Sequence, residues 1–182
     1  MNSVFELLSK NSKRYYDEET YRNEIKLKNQ KISLNLCYCY NILDVIVLGS
    51  VHTLNVSGCK NIKDVTSLGL VHTLNLSGCY SIVDVTSLGS VHTLNLFYCQ
   101  NIKDVSMLGS VHTLDLTRCK NIVDVKSLGS VHTLYLNNCC KIKDVSMLGS
   151  LYALYLYGCD NITDIGNLRD LCTVYLLFIN KK

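Results

Sequence analysis

The stretch VHTLNLSGC, residues 71–79, decides the architecture because it does not occur only once. Val-His-Thr-Leu also begins at residues 51, 91, 111 and 131, always twenty apart, and each copy has a cysteine eight residues after its valine. Extended outward, that register divides residues 31–170 into seven blocks of twenty, with a truncated eighth from 171. In the block from 91 the apolar positions 1, 4, 6, 12, 15 and 18 are Val91, Leu94, Leu96, Ile102, Val105 and Leu108, with Cys99 at position 9. Position 14 is aspartate in every full block, and position 19 is glycine in all but the last.

This spacing fits neither a lone helix nor a lone hairpin. Leu94 and Leu96 alternate with Thr93, Asn95 and Phe97, the period-two pattern of a strand with one wet face. From position 6 onward the inward residues recur every three, a beat that suits 3₁₀ or extended turns. Twenty residues are too few for a strand, two turns and a full α-helix. Each block therefore reads as one short coil of a solenoid, its strand pairing in parallel with the next about 4.8 Å away. No such coil buries its core without neighbours. The chain has no proline to interrupt the ladder.

The wording Val71-x-x-Leu74-x-Leu76-x-x-Cys79-x-x-Ile82 resembles the leucine-rich repeat signature. Asn161-Ile162-Thr163-Asp164-Ile165 with Leu168 is similar to the internalin type of that family. The likeness covers residues 31 to about 178; departures are the short coil, cysteine where that type has asparagine, and the missing proline. The cysteine-bearing version is also similar to arrays from giant viruses and protozoa. The resemblance implies a leucine-rich repeat arc, with a parallel β-sheet on the concave face and loops and 3₁₀ turns on the convex one. It further implies protein binding rather than catalysis.

Bulk composition narrows the classes of partner. A net charge of +3 over 182 residues with no dense Lys/Arg block argues against nucleic acid. No window offers the ~18 apolar residues of a membrane span. Ten cysteines without a secretory leader place the chain in a reducing compartment, the cytoplasm, with free thiols.

Three columns of polar residues arise from the repeat. Cysteine at position 9 is expected to turn inward as a small hydrophobe with a weak donor. A zinc ladder would need converging pairs that the spacing does not supply, so no metal or cofactor is expected. His52, His72, His92, His112 and His132 should pack at the strand's edge. Protonating such a column would be opposed by its like neighbours, so stability should fall below about pH 6. The aspartates at position 14 should accept hydrogen bonds from N–H groups two or three residues on; a calcium row lacks the Gly-rich nonapeptide.

Because the frame is constant, specific contacts belong to the variable positions 3, 5, 7 and 8, expected to face or rim the concave side. Early coils are bland there, but later ones carry Phe97, Tyr98, Asp115, Arg118, Tyr135, Tyr155, Tyr157 and Tyr175. Exposed tyrosines beside Arg and Asp are typical of binding hot spots, although stacked aromatics can also simply support a sheet. These eight residues are the expected protein-contact site, with no catalytic group among them.

Residues 1–30 break the pattern. Ser3-Val4-Phe5-Glu6 spells a capping box and Val4, Leu7 and Leu8 share one helical side, followed by a strand near Ile25 and Leu27. This reads as an N-terminal cap on the array of residues 31–182, or as a segment docking the chain, as an adaptor, on a larger complex such as a ubiquitin ligase. At the other end Leu176–Ile179 reads as a last strand without a polar coil after it. That open edge is suited to self-association.

Overall fold

The computed structural model describes residues 18–20, 23, 31–165 and 168, together with the backbone of 173–175. Of the expected cap at residues 1–30 only 18–20 and 23 are described; its capping-box helix, its strand near Ile25 and Leu27, and the segment 176–179 lie outside the described residues.

Eight strands of three residues each repeat at twenty-residue intervals: β1 (Ser33–Asn35), β2 (Thr53–Asn55), β3 (Thr73–Asn75), β4 (Thr93–Asn95), β5 (Thr113–Asp115), β6 (Thr133–Tyr135), β7 (Ala153–Tyr155) and β8 (Thr173–Tyr175). They form one open parallel sheet in chain order. The register never slips: Leu54 pairs with Leu74, Leu74 with Leu94, and Tyr135 with Tyr155. Among the described residues the last strand is Thr173–Tyr175. The alternation of Thr93, Leu94 and Asn95 is what sorts one buried side chain from two half-exposed ones in each strand.

Beyond the strand, the three-residue beat has a direct cause in the backbone. The Cys79 N–H donates to the Leu76 carbonyl, Ile82 to Cys79, Leu88 to Val85 and Val91 to Leu88, at 3.0–3.3 Å. Each is an i to i−3 closure, so every third residue returns to the same side of the chain. That side is the core, where Leu76, Cys79, Ile82, Val85, Leu88 and Val91 are no more than 1% exposed. Short 3₁₀ turns such as Thr66–Leu68 and Thr86–Ser90 complete the return. The architecture is a leucine-rich repeat arc with its sheet on the concave side.

Glycine at position 19 is explained by packing between coils. A Cβ on Gly49, Gly69, Gly89, Gly109 or Gly129 would lie far inside van der Waals contact of the position-17 carbonyl oxygen in the next coil. Backbone conformation is not the reason, since Gly69 and Gly109 are ordinary right-handed residues with φ of −61° and −63°. Gly89→Ala must therefore separate two coils or bend one, at a cost of about 1–3 kcal/mol. Urea unfolding should show a lowered midpoint for this variant; an unchanged midpoint would mean that the coils open freely.

Candidate protein-contact surfaces

From coil 2 to coil 7 the position-9 cysteine is a buried structural residue. Each thiol donates to the position-6 carbonyl of the coil before it: Cys79 to Val56 at 3.3 Å, Cys99 to Leu76 and Cys119 to Leu96 at 3.1 Å. Burial pushes the Cys79, Cys99 and Cys139 thiols up to about 12, and Cys119 higher still. Cys140, the neighbour of the buried Cys139, is exposed.

The histidines form a stack. Rings from His52 to His132 lie 4.4–4.6 Å apart with interplanar angles of 9–12°. Tyr152 continues the stack, 4.6 Å beyond His132. Each Nδ1 lies 3.1–3.3 Å from the hydroxyl of the following threonine, which fixes the ring plane. Partial desolvation holds His72 and His112 below the ordinary histidine value, with the charges of their histidine neighbours adding to it and Lys31 contributing at His72. Among the described residues, no group of three or more His, Cys, Asp or Glu converges as a metal site.

The aspartates are held by local hydrogen bonds. Asp64, Asp84, Asp104, Asp124 and Asp144 each accept the N–H two residues on, at 2.8–2.9 Å. Thr66 and Thr86 add their hydroxyls at 2.7 Å. These bonds draw Asp64, Asp84, Asp104 and Asp144 below the usual carboxylate value.

The concave face differs between the two halves of the array. In coils 2 to 4 position 5 is asparagine, and its Oδ1 accepts the N–H two residues on: Asn55 from Ser57, Asn75 from Ser77, Asn95 from Phe97, at 2.8–3.0 Å. Asp115 takes the same role toward Thr117 at 2.8 Å. From β6 onward this local turn is abandoned, and Tyr135 and Tyr155 stack at 4.3 Å and 13°. The freed turn in coil 7 is closed from the preceding coil instead, Asn137 Oδ1 accepting the Tyr157 N–H at 2.9 Å. Desolvation and the adjacent Tyr135 raise the Tyr155 hydroxyl above its usual value. Tyr157 is 40% exposed, and the β7–β8 register sets Tyr175 beside Tyr155 along the backbone.

Position 8 is a left-handed turn as well as a rim position. Gly58, Gly78 and Gly158 have φ near +70°, whereas Tyr38, Tyr98, Arg118 and Asn138 hold φ of 57–63° with a side chain attached. The glycines in three of seven coils were the signal of a positive φ. At this turn the rings and cations touch in series. Lys60 Nζ lies 5.6 Å from the Tyr40 ring and 5.7 Å from that of Tyr80. Tyr80 meets Tyr98 edge-on at 5.4 Å, Phe97 is 6.1 Å from Tyr98, and the Arg118 guanidinium is 5.9 Å from Phe97. Of the expected site residues, Phe97, Tyr98 and Arg118 thus meet here, Tyr135 and Tyr155 meet on the sheet, and Asp115 serves a turn. Tyr40, Lys60 and Tyr80 escape a search of positions 3, 5, 7 and 8 because they occupy position 10.

No protein-family model matches the chain, and no curated protein matches it either. Solved structures do. An internalin (InlF) from Listeria monocytogenes superposes with a TM-score of 0.52 at 21% identity, covering 79% of this chain and 51% of that one. Internalin C2 (InlC2) from the same organism gives 0.52 at 23% identity, over 81% of this chain and 69% of the other. The chain thus spans about half the length of the first and two thirds of the second. These likenesses and the coil geometry define a leucine-rich repeat fold. Its particular form is a short, cysteine-bearing coil of internalin-like type. Among the described residues no helix is long and apolar enough to cross a membrane.

Two outcomes follow from the polar columns. Because His72 and His112 are depressed, the unfolded chain takes up protons first as pH falls below about 6.5. Their contribution is therefore intact above that value and lost progressively on acidification. The depressed aspartates act only in a later step, below about pH 4. Melting temperature should decline between pH 7.5 and 5, and a flat profile would remove the histidine effect. In native protein at pH 8 a disulfide reagent should reach Cys140 well ahead of Cys79, Cys99, Cys119 and Cys139; equal rates would contradict their burial.

Proposed function

We propose that the chain is a non-enzymatic protein-binding module working inside the cell, its partner held against the concave C-terminal half. The observation that carries this reading is the change at position 5. Asparagine or aspartate there closes the turn from within its own coil in coils 2 to 5. Tyr135 and Tyr155 displace it with stacked rings on a half-exposed face. A repeat that gives up a working turn for aromatic surface is under a demand other than folding. Tyrosine offers large, rigid, amphipathic area with few rotamers to freeze, which is why it is enriched where partners bind. Tyr157 and Tyr175 extend the same patch, with Phe97, Tyr98, Asp115 and Arg118 toward the middle of the array.

The non-enzymatic part of the reading rests on how the potentially reactive columns are engaged. Thiols donate to carbonyls, carboxylates cap turns, and each imidazole is set against a threonine hydroxyl.

The test is affinity capture from the native cell lysate with wild-type bait beside a Tyr135→Ala/Tyr155→Ala/Tyr157→Ala bait that matches it in circular dichroism. A protein retained by the first and weakened roughly tenfold or more on the second is the expected result, given the usual cost of losing buried interface tyrosines. Equal retention by both baits would return these tyrosines to a scaffolding role.

A further inference from the structure

The run of side chains at the turn, Tyr40, Lys60, Tyr80, Tyr98, Phe97 and Arg118, is a second surface. It follows positions 7, 8 and 10 along coils 1 to 5, whereas the tyrosine stack lies on the sheet of coils 6 and 7. Three independent features mark it. Tyr98 and Arg118 occupy left-handed backbone positions, φ 61° and 63°, that glycine fills in coils 2, 3 and 7. Holding a side chain there costs about 1–2 kcal/mol per residue, a cost that coils 2, 3 and 7 avoid with glycine and that Tyr38 and Asn138 also carry in coils 1 and 6. The charge is one-sided. Positions 7, 8, 10 and 11 of coils 1 to 5 contain Lys60, Arg118 and Lys120 and no aspartate or glutamate. Finally, Lys60 and Arg118, both exposed, each lie within 6 Å of an aromatic ring centre.

We propose that this rim is a docking strip for an extended acidic peptide. A cation already positioned on a ring loses less freedom when it meets a carboxylate, so the strip is preorganised for anions. The same geometry disfavours nucleobases, because Lys60 and Arg118 occupy ring faces on which bases would stack. Spacing defines the ligand further. Lys60 and Arg118 belong to coils three apart, and Arg118 leans back toward Phe97 of the coil before it. Two to three strand spacings are about 10–14 Å. An extended peptide rising about 3.4 Å per residue spans that with acidic residues three or four apart. An apolar residue between them would lie on the edges of Tyr80 and Tyr98. Recognition here shares Phe97, Tyr98 and Arg118 with the contact site of the proposed function but not its stacked Tyr135 and Tyr155, and its test separates the strip from that stack.

The experiment is fluorescence anisotropy of the full chain with a labelled short peptide carrying two glutamates separated by three residues and a leucine between them. Its glutamine counterpart and a labelled oligouridine serve as comparisons. Three variants accompany wild type: Lys60→Gln, Arg118→Gly and Tyr155→Ala. Arg118→Gly cannot fail through misfolding in the usual way, since glycine is the residue coils 2, 3 and 7 place at that turn; it should unfold at the same or a higher urea concentration. Expected are a roughly tenfold preference of wild type for the glutamate peptide over the glutamine one, a comparable loss in Lys60→Gln and Arg118→Gly, and no change in Tyr155→Ala. No preference for the glutamate peptide would overturn the proposal. So would tighter binding of oligouridine, or a loss in Tyr155→Ala that the two rim variants do not share.

Discussion

Everything in this molecule depends on coils that stack at the separation of neighbouring parallel strands. A three-residue strand and a few i to i−3 turns have almost no stability alone. Joined, each coil lends its position-5 and position-7 carbonyls to the N–H groups of the coil before it, and its position-9 thiol donates to the carbonyl at position 6 of that same coil. The side chains between them close a continuous apolar column in which Leu88, Val91 and Leu96 lie wholly inside. Glycine at position 19 is the clearest mark of that closeness, because even a methyl group has no room between one coil and the next.

Stacking at such short range imposes its own rule on side chains. Whatever occupies a position meets a copy of itself within about 5 Å, twice. Apolar residues gain from this arrangement. Neutral imidazoles tolerate it as parallel stacked rings, and Tyr152 shows that the stack continues through another flat side chain. Carboxylates gain least, and each is tied to a donor of its own coil rather than left to face its neighbours. The aspartate column is thus a set of separate turn caps that happen to align.

Where the repeat departs from its own solution, the departures cost the scaffold something. Tyrosine at position 5 forfeits a turn closed from within the coil, and in coil 7 a bond donated by the Tyr157 N–H to Asn137 Oδ1 of the coil before takes its place. A side chain at position 8 adopts a left-handed backbone that glycine would adopt without strain. Both kinds of departure concentrate aromatic surface on the rim and concave side.

The sequence by itself determined the coil, its length and its inward residues. Periodicity is written directly into the chain, and with a strict interval of twenty a solenoid is the one arrangement that buries every column together. It also determined the aspartate caps, because an Asx turn involves residues two apart. Of the proposed contact surfaces, the column of Tyr135, Tyr155 and Tyr175 was legible as a register, since alignment of the blocks is alignment of the strands. What only the tertiary structure decided are relations between different positions in different coils. The Lys60 ammonium between Tyr40 and Tyr80, the edge-on meeting of Tyr80 with Tyr98, and the reach of the position-9 thiol to the previous coil depend on how far each side chain leans along the stack. That lean is set by rotamer and backbone conformation in the packed array, and no interval in the sequence encodes it.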